Sequence, residues 1–386
     1  MEISLKADEK LLFSLRELYR RYGYRSFRMS KFEKYELYAG NKDFLVSDRV
    51  ITFNDTNGEL LALKPDVTLS IVRNASFRPG YKQKLYYHEN VYRPAGSSHQ
   101  FREIMQCGLE CIGDLDNYDV YEVLHLAAES LRTISKHSVL SVSHLGILKS
   151  LFSDIGAGER AQGEVLRLIA ARNEHELAEL FRQQGWAEER FSELRALLGL
   201  RCSLKELPEK LGSLRLGWLD PAVRQELCEL STLCEGEDSV LWFDLSVIND
   251  IHYYNGIVFQ GFVREIAEKV ISGGRYDSLL KRMNRKGSAI GFAVYLGILD
   301  QLLRTNEAND ADVLLLYDED TPLSLVRDTA KELQRNGRSV SAQRSADDGR
   351  YGETVDLRGG EKDACYCTAE RPSRRPGLRH AEAGGL

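Results

Sequence analysis

An α+β fold, a mostly antiparallel sheet flanked by helices, with a helical insertion and a small C-terminal α/β remnant, is what this sequence predicts. Three observations predict it. Strand and turn signals concentrate at about residues 24–115 and return at 240–294. Between them, residues 145–237 are dominated by Glu, Arg, Leu and Ala and carry no strand signal. A strand–helix–strand pattern then begins only after residue 311.

The elements follow in order. Leu11, Leu15, Leu18 and Tyr22 recur on one helical face, and Gly23 ends that helix. Val50-Ile-Thr-Phe53 and Leu60-Leu-Ala-Leu63 flank the turn Asn54-Asp-Thr-Asn-Gly58 and predict a hairpin. Lys84-Leu-Tyr-Tyr87 and the stretch 102–113 read as further strands, and 117–135 as a helix with Val123, Ala127, Leu131 and Ile134 inward. Residues 161–186 and 187–200 predict consecutive amphipathic helices. Strands resume at 240–247, 256–259, 273–277 and 291–294, and the polar stretch 305–310 is a linker. Ala311-Asp-Val-Leu-Leu-Leu-Tyr317, a helix over 323–336 and Ser339-Val-Ser341 start a βαβ unit that the sequence does not complete, and the last twenty residues read as disordered. The predicted domains are therefore a core in two parts, 1–144 and 238–305, an insertion at 145–237, and an α/β segment at 311–386.

Composition narrows the function. Lys+Arg number 52 against 58 Asp+Glu, a net charge of −6, which argues against a whole-surface nucleic-acid binder. No apolar run approaches the ~18–20 residues of a membrane span. The charged start, Met1 to Lys10, does not read as a signal peptide, so a cytoplasmic chain is expected. Seven cysteines, an odd count without paired zinc-site spacing, predict neither a disulfide framework nor a metal centre.

Four segments carry chemistry. In the strand 102–113, alternation places Met105, Cys107, Leu109 and Cys111 on an apolar stripe and Ile104, Gln106, Gly108 and Glu110 on the other. That second stripe fits a solvated outer face or a ligand-facing wall. In Leu63-Lys-Pro-Asp-Val-Thr68, Asp66 and Thr68 share one side of an extended strand, suited to a ligand ammonium or simply to a strand end. Tyr253 and Tyr254, before Gly256, offer ring faces and hydroxyls to a pocket or to hairpin packing, and His252 alone indicates little. The double glycine of Ile271-Ser-Gly-Gly-Arg-Tyr-Asp277 lets backbone approach an anion or a ring, but it is no phosphate-cradling P-loop.

Together, Asp66-Val-Thr68, Arg93, 106–110, Tyr253-Tyr254, 273–277 and Gly291-Phe-Ala293 resemble, in order and spacing, the histidyl-tRNA synthetase catalytic domain over about residues 5–305. The stretches 24–33, 41–45 and 243–250 resemble more narrowly the synthetase paralogues that serve as regulatory subunits of ATP phosphoribosyltransferase. The resemblance implies a class II aminoacyl-tRNA synthetase-like sheet. It also implies a histidine pocket: Asp66, Thr68 and Gln106 on the ammonium, Glu110 and Tyr253 on the imidazole, Tyr254 closing it and Arg93 facing the carboxylate. Departures matter equally. The arginine of the synthetases' final helix falls at Ile298, after Gly297, and their histidine-specific arginine falls at Asn249. Arg93-Pro-Ala-Gly lacks the family's acidic residue, and Ser30 stands where the dimer motif has proline. Losing one such cation costs ~10²–10³ in rate, so adenylate formation is not expected, and no catalytic residue, cofactor or metal is assigned. The implied role is a homodimer, within a hetero-octamer, that activates short-form ATP phosphoribosyltransferase catalytic subunits and answers to histidine as effector. A working histidyl-tRNA synthetase and a free-standing histidine or tRNA sensor are the alternatives. The Arg-rich run 371–379 reads as an aberrant tail rather than an RNA contact.

Overall fold

The computed structural model describes residues 6–42, 45, 49–94, 100–237, 240–248, 253–299 and 309–359. The chain divides into two units, Met1–Thr305 and Asn306–Leu386. Among the described residues, the strands of the first unit are β1 (Arg25–Ser26), β2 (Phe32–Lys34), β3 (Thr52–Asn54), β4 (Leu60–Leu63), β5 (Lys82–Pro94), β6 (Phe101–Gly113), β7 (Ser138–His144), β8 (Cys202–Ser203), β9 (Leu241–Phe243), β10 (Ile257–Val263), β11 (Ile271–Arg275) and β12 (Ser288–Tyr295). Nine of them form one sheet in the order β1-β5-β6-β12-β11-β10-β7-β9-β8. The β1–β5 and β7–β9 pairs are parallel and the other pairings antiparallel, as the fold class predicts. β2, β4 and β3 make a separate small sheet, which contains the predicted hairpin.

The central pair explains itself. β5 and β6 are each thirteen residues long and pair along their whole length, from Lys82 opposite Gly113 to Pro94 opposite Phe101. Helices α1 (Ala7–Arg21), α2 (Tyr35–Ala39), α3 (Thr68–Asn74) and α4 (Asn117–Ile134) precede the insertion. α1 ends as predicted, before Gly23 in the left-handed region at φ 81°. α4 starts on a reciprocal cap: the Asp116 carboxylate accepts from the Asp119 N–H at 3.3 Å, and the Asp119 carboxylate accepts from the Asp116 N–H at 2.8 Å. One face of the sheet, carrying Cys107, Leu109, Cys111, Phe259, Phe292 and Val294, packs in the large core with Leu15 of α1 and Val123 and Ala127 of α4. The opposite face contributes Leu85, Tyr87 and Ala289 to a second core with Leu69 and Val72 of α3.

The insertion contains α5 (Leu145–Asp154), α6 (Glu159–Ala170), α7 (Glu174–Gln183), α8 (Glu188–Leu198), α9 (Leu207–Ser213) and α10 (Pro221–Leu233). Two expectations change here. Residues 161–186 are not one helix, because Arg172 sits at φ 54° and Asn173 caps the next helix by accepting the Glu176 N–H at 3.1 Å. The short strand β8, pairing with β9, lies inside a stretch that shows no strand signal, since two residues are too few for alternation to register. The strand expected over 240–247 is only β9. Asp244 follows it with an Asx turn, accepting the Ser246 N–H at 2.9 Å, and so ends the extended run. α11 (Asp277–Arg282) then links β11 to β12.

In the second unit β13 (Ala311–Leu316), α12 (Leu323–Arg335), β14 (Val340–Gln343) and β15 (Tyr351–Asp356) form a parallel sheet with β13 central. β13, α12 and β14 complete the βαβ unit, contrary to the sequence reading, and β15 adds a third parallel strand on the other side of β13. That strand is polar and only half-buried, with no apolar period to reveal it. Leu315, Val326 and Leu357 form the small core between sheet and helix. The last twenty residues, and with them the run 371–379, lie outside the described residues.

Candidate ligand-binding site

β6 supplies the floor of the site. Gln106 and Glu110 point from the face opposite Cys107, Leu109 and Cys111, and they are only 3% and 2% exposed. The polar stripe is thus a buried wall rather than a solvated surface. β12 lies alongside, with Gly291 opposite Glu110 and Tyr295 opposite Gln106. Glycine is required at 291, because a Cβ there would stand 1.8 Å from Glu110 Oε2.

Glu110 is held on both oxygens. The Thr68 hydroxyl donates to Oε1 at 2.9 Å and the Tyr276 hydroxyl donates to Oε2 at 2.7 Å. Both donors are neutral, so burial prevails and pushes the carboxyl up to about 8. A group poised there can donate to a ring nitrogen when protonated and accept from one when ionised.

Asp66 and Thr68 do not share a strand, contrary to expectation. β4 stops at Leu63, and Pro65-Asp66 turns the chain into α3, whose first residue is Thr68. The turn has a local cause: Asp66 Oδ1 accepts the Leu69 N–H at 3.0 Å, satisfying a free donor of the helix start. Its other oxygen faces Arg93 Nη2 at 3.3 Å, while Arg93 Nε donates to the Pro65 carbonyl at 2.6 Å. Burial raises the Asp66 pKa and the Arg93 charge opposes that rise.

Tyr253 and Tyr254 precede β10 with ring centroids 4.5 Å apart, and Tyr253 lies 5.7 Å from Tyr276. Burial raises the pKa of all three phenols, which remain neutral donors. The double glycine admits a ring, as expected: a Cβ on Gly274 would meet Tyr254 Cδ1 at 2.8 Å. Arg275 of that motif turns elsewhere, to Asp277 at 2.8 Å and Ser288 at 3.1 Å.

The seven residues singled out in the sequence, Asp66, Thr68, Arg93, Gln106, Glu110, Tyr253 and Tyr254, all line one cavity of about 420 Å³. Sequence reasoning missed Tyr87, Lys269, Ser272, Tyr276 and Tyr295, which line it too. Tyr276 and Ser272 stood in a noted motif, and Tyr295 follows from Gly291 by strand alternation. Lys269 belongs to no motif. Ile298, where the synthetases have an arginine, sits in the 3-10 turn Leu296–Leu299 and packs against the large core. Asn249, His252 and the loop after Pro94 lie outside the described residues. A second polar cluster, His125, Glu129 and Glu237, has metal-ligating residue types. Its histidine is engaged on both nitrogens, by Glu237 at 2.6 Å and the Tyr22 hydroxyl at 2.9 Å, and Arg132 bridges the carboxylates.

The histidyl-tRNA synthetase family model matches residues 3–299. The ATP phosphoribosyltransferase regulatory subunit of Caldanaerobacter subterraneus subsp. tengcongensis is 30% identical over 286 residues, covering 72% of this chain and 74% of that protein. A structure described as an ATP phosphoribosyltransferase regulatory subunit/histidyl-tRNA synthetase from Bacillus halodurans superposes with TM-score 0.73 at 24% identity, covering 93% of this chain and 97% of that one. A chain of the ATP phosphoribosyl transferase (HisG:HisZ) complex from Thermotoga maritima superposes with TM-score 0.59 at 21% identity, covering 75% and 97%. No helix among the described residues is long and apolar enough to cross a membrane.

Proposed function

The chain belongs to the histidyl-tRNA synthetase family and, within it, to the ATP phosphoribosyltransferase regulatory subunits, and from that premise we propose that it binds histidine without activating it and places a catalytic partner under feedback control. The observation that carries this reading is a contrast inside one fold. The seven polar and aromatic residues line one cavity, whereas the position of the synthetases' final-helix arginine holds Ile298, partly buried against the apolar core. Adenylate formation spreads negative charge over a phosphate as pyrophosphate leaves, and fixed cations in a dry site stabilise that charge. An isoleucine supplies none.

In the cavity, Asp66, Thr68 and Gln106 offer acceptors to an α-ammonium, Glu110 and Tyr253 offer partners to both imidazole nitrogens, and Tyr254 covers the ring. Arg93 faces the carboxylate. The partner is a short-form ATP phosphoribosyltransferase catalytic subunit, in a cytoplasmic hetero-octamer built on a dimer of this chain. Inhibition requires that histidine bind the inhibited arrangement more tightly than the active one, since a ligand shifts an equilibrium only by its differential affinity.

The test is an ATP phosphoribosyltransferase assay on the cognate short-form subunit with and without this chain. Activity should appear only in the mixture and fall on addition of histidine. A folded chain that leaves the subunit silent overturns the proposal, and histidine-dependent pyrophosphate exchange by the chain alone would return it to the synthetases.

A further inference from the structure

The cavity is electrically asymmetric along β6. At one end Glu110, Gly291, Thr68 and Tyr276 surround a carboxyl with neutral hydroxyl donors. Four residues away, roughly 13 Å along an extended strand, Gln106 stands opposite Tyr295. That end is the cationic one. Arg93 lies there, and so does Lys269, placed by the residue after it: the Val270 carbonyl accepts the Tyr295 N–H at 2.9 Å, at the mouth of the same cavity.

The two cations are not equivalent. Arg93 is already committed, its Nε to the Pro65 carbonyl at 2.6 Å and its Nη2 to Asp66 at 3.3 Å. The Asp66 carboxylate faces it and offsets its charge. Lys269 makes no ion pair and no side-chain hydrogen bond among the described residues, although it lines the cavity. Desolvation at the crowded mouth lowers its pKa, and the charge of Arg93 lowers it further, which places the two cations within each other's field. A lysine left beside an arginine without an acidic partner gains most from an anion that both can reach.

We infer that Lys269 is the cation that takes the carboxylate of the amino acid bound in this cavity, and that it sets the preference for an amino acid over the corresponding amine or amino alcohol. The inference rests on the histidine reading above and adds to it the group that compensates for an arginine already tied to Asp66. Lys269 belongs to neither hydrophobic core of the unit, so replacing it removes no core contact.

Calorimetric titration of the full chain with histidine and with histidinol, which replaces the carboxylate by a hydroxymethyl group, tests it. Histidine should bind the native chain better than histidinol. Lys269→Met should weaken histidine about tenfold and leave histidinol unchanged, the size expected of one partly exposed charge-assisted contact. Lys269→Arg should retain the preference, and Lys269→Glu should reverse it by repelling the carboxylate and attracting the cationic alcohol. Equal weakening of both ligands by Lys269→Met, or no change in either, overturns the inference while leaving the histidine pocket standing. A native chain that binds neither ligand overturns the histidine reading itself, and this inference with it.

Discussion

The two faces of β6 are equally buried and chemically opposite. Cys107, Leu109 and Cys111 are completely inaccessible on one side, and Gln106 and Glu110 are 3% and 2% exposed on the other. On the first face residues of α1 and α4 join the strand in the large core. On the second, a cavity of about 420 Å³ is kept open between β6, β12, α3 and the paired tyrosines. Apolar burial stabilises by itself, whereas a buried carboxyl costs free energy unless hydrogen-bonded, and Glu110 has two neutral donors and no cation on it. The difference teaches that burial does not identify a core. One face of this strand holds the fold together, and the other keeps polar groups buried at a cost in stability.

The comparison breaks most visibly on the apolar side. Leu109→Ala removes a fully buried side chain from the large core and should destabilise the unit by about 2–5 kcal/mol. Its folded fraction should still bind histidine with native affinity. Denaturant unfolding paired with calorimetry separates the two readouts, and a variant that loses affinity without losing stability would show that the faces are not independent.

The polar side should answer in the opposite way. Glu110→Gln ought to reduce histidine affinity by roughly 0.5–1.5 kcal/mol, as expected when one neutral hydrogen bond to the imidazole is lost, with little loss of stability at acid pH. The pH dependence follows from sign. The carboxyl ordinarily titrates near 4.5 and is pushed up to about 8 in the folded chain, so the folded state holds a proton that the unfolded state has released. The stability this group contributes is complete below 4.5, declines as pH rises, and is gone above about 8. Glu110→Gln removes that decline, so the stability difference between variant and native chain should grow in the variant's favour from pH 5 to 8. Parallel pH profiles would mean that Glu110 stays ionised throughout.

What the sequence revealed of this arrangement follows the same division. Period-two alternation separates the β6 stripes, and 3.6-residue periodicity reveals α1 and α4, because those patterns report which side chains share a face. They cannot report what lies opposite. A polar stripe over a cavity and a polar stripe over water have the same sequence, and only the resemblance to histidyl-tRNA synthetases brought Gln106 and Glu110 together with Asp66, Thr68 and the tyrosines. The pairing of Thr68 with Glu110 depends on the turn at Pro65-Asp66, which local composition also allows to be extended. Lys269 gave no signal because its position is set by the register of β11 on β12. β15 escaped notice because it is half polar, and Arg172 because nothing in a helical pattern announces a residue at φ 54°.

The finest distinction concerns how the polar face is tuned. The Tyr276 hydroxyl donates to Glu110 Oε2 at 2.7 Å, while its ring packs against Tyr253 and belongs to the second core. Tyr276→Phe keeps the ring and deletes the donor, which should cost about 1 kcal/mol of stability at neutral pH. That hydrogen bond lowers the Glu110 pKa, so its loss moves the carboxyl above the native value of about 8. The decline in stability, which tails off above about pH 8 in the native chain, should run on more steeply in the variant toward pH 9. Unfolding measured at pH 8 and 9 decides it. A steeper decline in Tyr276→Phe than in the native chain over that interval makes the hydroxyl a tuning group for Glu110, and parallel profiles leave it a packing residue whose oxygen merely fills a lone pair.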